Sequence, residues 1–396
     1  MPSSSLPTAF TRLWAASAIT NLGDGALLAA GPLLVATVTT DPAAVAAGMF
    51  AQQLPWLLFA LVSGALADRL PRRVLVMAVS LVRGLALTFL AVAITVDEPR
   101  LWLIYPVLFL LGAGETLADS AYGALVADTV PSPLLGRANA RIHLTFSLNN
   151  QLIGPPLGAL LFTVAAALPI GFHALAQFFA VIVFAKLAVE STVDRTGESL
   201  RADVAAGLRW LWRHPGLRLL TACILVMNLT SVGVFAVWVL YATEHLGLTE
   251  TQYGLFISVS ALGSIAGAWS YGRLEARFGH VTLLRGGLVV EALTYAALTL
   301  TREPLTAGLI MMLFGAHAAV WGTVTTTVRQ RATPSALMGR VGSVYQLASV
   351  GGAAIGAITG GFVAREFGLL APFWIATVAI GALTVLVWRR LPHTAP

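Results

Sequence analysis

Asp24, Arg83, Glu115 and Asp119 are charged residues set inside long apolar runs. A charge at the centre of a membrane helix costs about 2.5–3.5 kcal/mol on insertion scales, so a chain that keeps one there is expected to use it. At about 1.5 Å of rise per residue, Arg83 lies about 15 Å in from Arg73, and Asp24 about 18 Å in from Arg12. Asp119 and Glu115 lie about 13 Å and 20 Å in from Asp128. Glu115 and Asp119 are four apart and share one helix face. Repulsion and lost hydration both favour the neutral form of at least one of such a pair, which suits a group that gains and loses a proton near neutrality. Arg83, at matching depth, is a counter-ion for Asp119 in one reading; in the other, a permanent pair only locks two helices together. His317 is a further cavity candidate or a satisfied core histidine. Asn228, Trp238 and Trp321 are candidates for substrate contact.

Charges at that depth require elements that hold them in lipid. Hydrophobic residues make up 57% of the 396 residues and charged residues 11%, with a mean hydropathy of +0.82. A soluble domain carries roughly 25% charged residues, so this chain cannot clothe a water-facing surface and lipid must be its main solvent. The net charge of +6 does not point to nucleic acid, because the basic residues sit in short clusters between apolar runs. The single cysteine, Cys223, excludes a disulfide framework within the chain and a Cys-based metal site. No metal and no cofactor is expected, and no cleavable signal peptide.

Apolar runs fall at 13–38, 43–66, 74–96, 101–127, 140–164, 170–189, 217–241, 251–271, 281–300, 304–328, 339–363 and 369–388, here numbered spans 1 to 12. Each approaches or exceeds the roughly 20 residues that cross a bilayer, and in lipid such runs must be helical. Arginines mark one side. Arg12, Arg69, Arg72, Arg73, Arg137, Arg141, the central loop, Arg273, Arg277, Arg329, Arg331, Arg340 and Arg389 fall at alternate loops, whereas the others hold only Arg100, Arg302 and Arg365. The expectation is a multi-pass protein of a bacterial inner membrane with both termini cytoplasmic.

The two halves repeat. Gly64-Ala-Leu66-Ala-Asp68-Arg69-Leu-Pro71-Arg72-Arg73 follows span 2, and Gly272-Arg-Leu274-Glu-Ala276-Arg277-Phe-Gly279 follows span 8. Pro131-Ser132-Pro-Leu134-Leu-Gly136-Arg137 follows span 4, and Pro334-Ser335-Ala-Leu337-Met-Gly339-Arg340 follows span 10. Two parallel six-helix repeats are a transporter architecture with the site near the bilayer midplane. The expected division is residues 1–189, an N-terminal bundle; 190–216, a cytoplasmic loop; and 217–396, a C-terminal bundle. In the loop, Leu200, Val204, Leu208 and Leu211 share one face, as in a short amphipathic helix on the inner leaflet; the alternative is a partly ordered tether. Gly352, Gly356 and Gly360 on span 11, and Gly154 and Gly158 on span 5, recur at four-residue spacing and let helices approach closely.

The loop Gly64-x-Leu-Ala-Asp68-Arg69-x-x-Arg72-Arg73 resembles the signature of the major facilitator superfamily. Pro71 stands where that family usually has glycine. Gly154-Pro155-Pro156-Leu-Gly158 resembles its antiporter motif, with Asn150 and Ala159 in place of the outer glycines. Asn21-Leu-Gly-Asp24-Gly and Gly207-Leu-Arg-Trp-Leu-Trp-Arg-His-Pro215 resemble the enterobactin-exporter and macrolide-efflux branch. The resemblance implies an all-α membrane protein with twelve transmembrane helices in two pseudo-symmetric six-helix bundles. It also places spans 1 and 4 around a central cavity and span 9 at the periphery, so that Glu291 reads as structural. Asp24 and Glu115 would then couple protons to substrate, with Asp119 and Arg83 beside them and Asn21, Asn228, Trp238, His317 and Trp321 contacting cargo. Asp68 would cap the helix starting near Gly339. With Arg72 paired to Asp128, and with Gly64 and Arg69, it would form a latch that is closed in the outward-facing state; the plainer reading is a loop that only stops and orients the helices.

The leading expectation is therefore a monomeric, proton-coupled exporter of a lipophilic small molecule, with an importer of the same fold second. An ATP-driven pump is excluded, because the only lysine, Lys186, lies in an apolar run and no Walker loop exists. An intramembrane enzyme acting on lipid is disfavoured by the lack of a zinc helix, a Gly-x-Ser-x-Gly elbow or a cysteine nucleophile site.

Overall fold

The computed structural model describes residues 6–187, 200–334 and 337–390, with side chains outside 60–69 and 200–206. Among the described residues, helix makes up most of each of the twelve apolar runs. Spans 1 to 4 are Thr8–Val38, Pro42–Arg69, Arg72–Val96 and Leu101–Thr129. Span 6 is Ala167–Ala185, and spans 10 to 12 are Pro304–Ala332, Met338–Phe367 and Ala371–Val387. Eight helices among the described residues are long and apolar enough to cross a bilayer. One of them, Glu250–Leu300, serves as both span 8 and span 9 by turning at Gly279.

That turn shows how the repeat is made. Gly279 has φ 69° and ψ 164°, a left-handed conformation that glycine adopts without a Cβ penalty. At the matching place in the first half, Pro71 (φ −56°, ψ 111°) separates spans 2 and 3 by denying the helix a backbone donor. Two different residues thus end a span at the same point of the repeat, which explains why proline is tolerated at Pro71.

Span 5 is not one straight run. It starts as Leu135–Thr145, widens into a π-helical stretch at Phe146–Ile153 and resumes as Gly154–Val164. Pro155 and Pro156 cannot donate back to the preceding turn, so the helical ladder shifts register just before them. Span 7 is broken likewise: Pro215–Phe235 is followed by Trp238–Leu240 and a π-helical Tyr241–His245. Span 6 ends at Ala185, four residues earlier than its apolar run suggests. Arg73 donates to the carbonyls of Phe184 and Ala185 at 2.9 and 2.5 Å, and Arg12 to that of Lys186 at 3.3 Å. Basic side chains thereby satisfy the open carbonyl end of the helix.

The chain divides into two compact units. One comprises Met1–Val38, Ala51–Gly197 and Glu250–Ser258; the other comprises Thr39–Phe50, Glu198–Thr249 and Val259–Pro396. In the second unit, Cβ atoms at Gly352, Gly356 and Gly360 would run into the carbonyls of Leu225, Leu229 and Gly233 on span 7, one contact per turn on both helices. Close packing of this kind supplies the dispersion attraction that holds helices together where lipid removes the hydrophobic drive. The helix Leu200–Arg213 belongs to the same unit and rests Gly207 against the backbone at Arg340. It buries Leu211 and exposes Leu208 and Trp212, while Leu200 and Val204 lie outside the described side chains.

Candidate functional site

The N-terminal unit gathers its intramembrane charges around Asp24. Arg83 Nη2 donates to Asp24 Oδ1 at 2.5 Å, and His173 Nε2 lies 3.1 Å from the same oxygen. The Gln177 amide is 3.0 Å from that ring nitrogen. Spans 1, 3 and 6 are thus tied through one carboxylate. The guanidinium is bound to Asp24, so Asp24 and not Asp119 is its ion-pair partner. Depth along a helix made both acids eligible; the packing of span 1 against span 6 and of span 6 against span 3 decides between them.

The local sequence explains how three bulky polar groups fit there. Gly23 and Gly25 flank Asp24. A Cβ at Gly23 would sit 2.6 Å from the His173 ring, and one at Gly25 would meet the Asn150 carbonyl. Gly114 on span 4 leaves room for the Arg83 stem, whose Cδ lies 2.8 Å from where its Cβ would be. From the π-helical part of span 5, Asn149 donates to the Ala18 carbonyl at 2.8 Å and Asn150 to that of Asn21 at 3.5 Å. Gly154 and Gly158 lie on the backbone of Gly25 and Ala26, and Pro155 is buried beside them. Span 5 therefore clamps the Asp24 turn from one side while span 6 supplies its donor from the other.

A cavity of about 320 Å³ opens at this cluster. Asp24, Arg83, Glu115 and Asp119 all line it, as do Asn21 and the apolar side chains of Val76 and Phe146. Asn21 spends its amide on Ser17, donating at 2.8 Å to the carbonyl and 3.0 Å to the hydroxyl. Asp119 is exposed in the cavity wall and Glu115 half-buried. His173 is fully buried, and its Nδ1 and the Arg83 Nε are buried without a hydrogen-bond partner. Sequence reading missed His173 and Gln177, although two polar residues four apart in the otherwise apolar span 6 were a usable signal.

The other candidates fall elsewhere. Arg72 Nη1 pairs with Asp128 Oδ2 at 2.8 Å, joining the start of span 3 to the end of span 4. The side chains of Gly64, Asp68 and Arg69 lie outside the described residues. In the C-terminal unit, Asn228 donates to the Ile224 carbonyl on its own helix at 2.9 Å. Trp238 is packed in an aromatic cluster, stacked on Tyr241 with centroids 5.2 Å apart. His317 and Trp321 are buried. No group of three or more metal-ligating side chains occurs among the described residues.

The transmembrane secretion effector family matches residues 4–395, nearly the whole chain. The chain belongs to this family of the major facilitator superfamily. The facilitator is 27% identical to the enterobactin exporter EntS of Escherichia coli K12 over 348 residues, 84% of this chain and 80% of EntS. In fold it is similar to a bacterial homologue of the iron transporter ferroportin in its inward-facing state, with a TM-score of 0.77 at 17% identity, covering 99% of this chain and 100% of that one. The nucleoside transporter NupG gives a TM-score of 0.76 at 11% identity, covering 98% and 99%. Together with the apolar helices, these likenesses make the protein a multi-pass inner-membrane transporter and not an enzyme.

Proposed function

We propose that this facilitator is a proton-coupled exporter of a lipophilic small molecule, working as a monomer by alternating access with both termini in the cytoplasm. The observation that carries the proposal is the Asp24–Arg83–His173 cluster opening, with Glu115 and Asp119, onto one cavity. Arginine keeps its proton, so the titrating members must be the carboxyls and histidines. A proton placed on Asp24 removes the anion that Arg83 faces. The freed guanidinium then has two further carboxylates in the same cavity wall, and its unpartnered Nε is available to them. Loss of the proton reverses the exchange. The groups facing this switch are Asp24 from span 1, Arg83 from span 3, Glu115, Asp119 and Tyr122 from span 4, His143 from span 5, and His173 and Gln177 from span 6. The apolar part of the wall suits a lipophilic cargo, and the likeness to EntS, an enterobactin exporter, favours outward movement.

In proteoliposomes with an imposed pH gradient, ethidium and enterobactin serve as probes of opposite chemistry. The double substitution Asp24→Asn with Glu115→Gln is expected to abolish gradient-driven movement of whichever probe is carried. Transport that persists unchanged in the double variant rejects the coupling, and uptake in place of efflux from correctly oriented cells assigns an importer.

The Arg72–Asp128 pair is read as half of a cytoplasmic latch. Its side chains are 17% and 24% exposed, and an ion pair this accessible to water is worth about 1 kcal/mol or less. Arg72→Gln is therefore expected to leave thermal stability almost unchanged while altering the transport rate several-fold. Exchanging the charges, Arg72→Asp with Asp128→Arg, should restore much of that rate. A rate indifferent to Arg72→Gln removes the latch.

A further inference from the structure

The C-terminal unit holds a second polar cluster, which the transport reading above does not use. Gly287, Glu291 and Tyr295 follow at four-residue spacing along span 9, so they share one face. Phe314, His317 and Trp321, three and four residues apart, share one face of span 10. The two faces meet. A Cβ at Gly287 would lie 2.8 Å from the Trp321 ring and 3.3 Å from that of His317. The Tyr295 and Phe314 ring centroids are 6.2 Å apart, and those of Phe314 and His317 5.8 Å.

Between these rings, Glu291 is 2% exposed and His317 8%. Glu291 Oε1 accepts from the Tyr295 hydroxyl at 3.2 Å. Glu291 Oε2 faces His317 Nε2 at 3.8 Å, and neither atom makes a hydrogen bond; Trp321 Nε1 is likewise buried without one. Such an accumulation of unmet polar atoms is costly unless something satisfies it. No arginine or lysine among the described residues pairs with Glu291. The other ionisable groups that reach it are Tyr295 on its own helix and Cys223 on span 7. Its one cationic partner is therefore a side chain that can give its proton away, unlike the arginine that holds Asp24.

We propose that Glu291 and His317 form a second proton-binding site that holds one proton between them. With one proton the pair is neutral overall, whichever residue carries it. With none or two it places a net charge inside lipid-embedded protein, which is unfavourable. The site stands within one unit and does not depend on the coupling proposed for Asp24.

The test is proton release from the full chain in nanodiscs over a series of pH steps, for the wild type, Glu291→Gln, His317→Gln and the double variant. Each single substitution is expected to remove the same one-proton step, because either group left alone has no partner for its charge. The double variant should remove no more than a single one does. Losses that add, or single variants that release as many protons as wild type, overturn the proposal. Nitrogen NMR of labelled histidine in folded wild type and Tyr295→Phe gives a second readout. The His317 signal, assigned by its loss in His317→Gln, is expected to titrate and to shift its midpoint when the tyrosine hydroxyl is withdrawn from Glu291. A His317 signal that is flat with pH overturns the site even if Glu291→Gln fails to fold.

Discussion

Asp24→Asn is expected to cost the facilitator about 3–5 kcal/mol of stability, the usual penalty for removing one partner of a buried ion pair, and all of its pH-gradient-driven transport. The two effects have different causes. Asparagine keeps an oxygen for one donor but no charge, so the Arg83 guanidinium, 7% exposed, loses the anion bonded to it and is left with only Glu115 and Asp119 of the cavity wall. His173, fully buried, loses its anionic acceptor as well. Adding Arg83→Gln to Asp24→Asn removes the orphaned cation, and the double variant is expected to recover most of the lost thermal stability. It should not recover transport, because no titratable carboxyl returns to that position. Thermal unfolding in detergent and flux in proteoliposomes, measured on both variants, separate the roles. A double variant no more stable than Asp24→Asn alone would mean that Asp24 holds the bundle by something other than its charge on Arg83.

The same cluster shows where sequence reading succeeds and where it stops. The apolar runs, the alternating arginines and the half-chain repeat were enough to place helix over every span, because lipid leaves the backbone no other way to satisfy its polar groups. Depth was legible for the same reason: a helix converts residue number into distance at a fixed rise. Azimuth was not. Which neighbour Arg83 meets depends on how spans 1, 3 and 6 pack around one another, and single-sequence spacing carries no information on that. His173 and Gln177, four apart, marked a polar face of span 6, but the carboxylate that face meets lies about 150 residues away and spacing does not name it. The irregular part of span 5 was also hidden. Asn150 counted as a departure from a glycine motif, whereas the structure gives it a use as a buried side chain that reaches span 1. At Pro71 and Gly279, by contrast, the residue type alone accounts for where the span ends.

Gly158→Val is expected to be the most damaging single substitution among the small residues of the N-terminal unit. A Cβ at Gly158 would overlap the carbonyl and Cα of Ala26, with backbone and not a flexible side chain on the other side of the contact. Overpacking a fitted core costs about 1–3 kcal/mol when side chains can move aside, and here the only relief is to separate spans 1 and 5. Because Ala26 is two residues from Asp24, that movement would pull the carboxylate away from Arg83 and His173 as well. The variant should therefore lose both thermal stability and, in whatever fraction remains folded, proton-driven transport. Gly171→Ala in span 6 is the matched control: nothing lies within 4 Å of its Cβ position, and alanine raises helix propensity by about 1 kcal/mol. It should be neutral or mildly stabilising. Size-exclusion profiles and unfolding temperatures of the two variants decide the matter. Equal behaviour would show that spans 1 and 5 can part without consequence, and that the clamp on the Asp24 turn is not what keeps the carboxylate between its two donors.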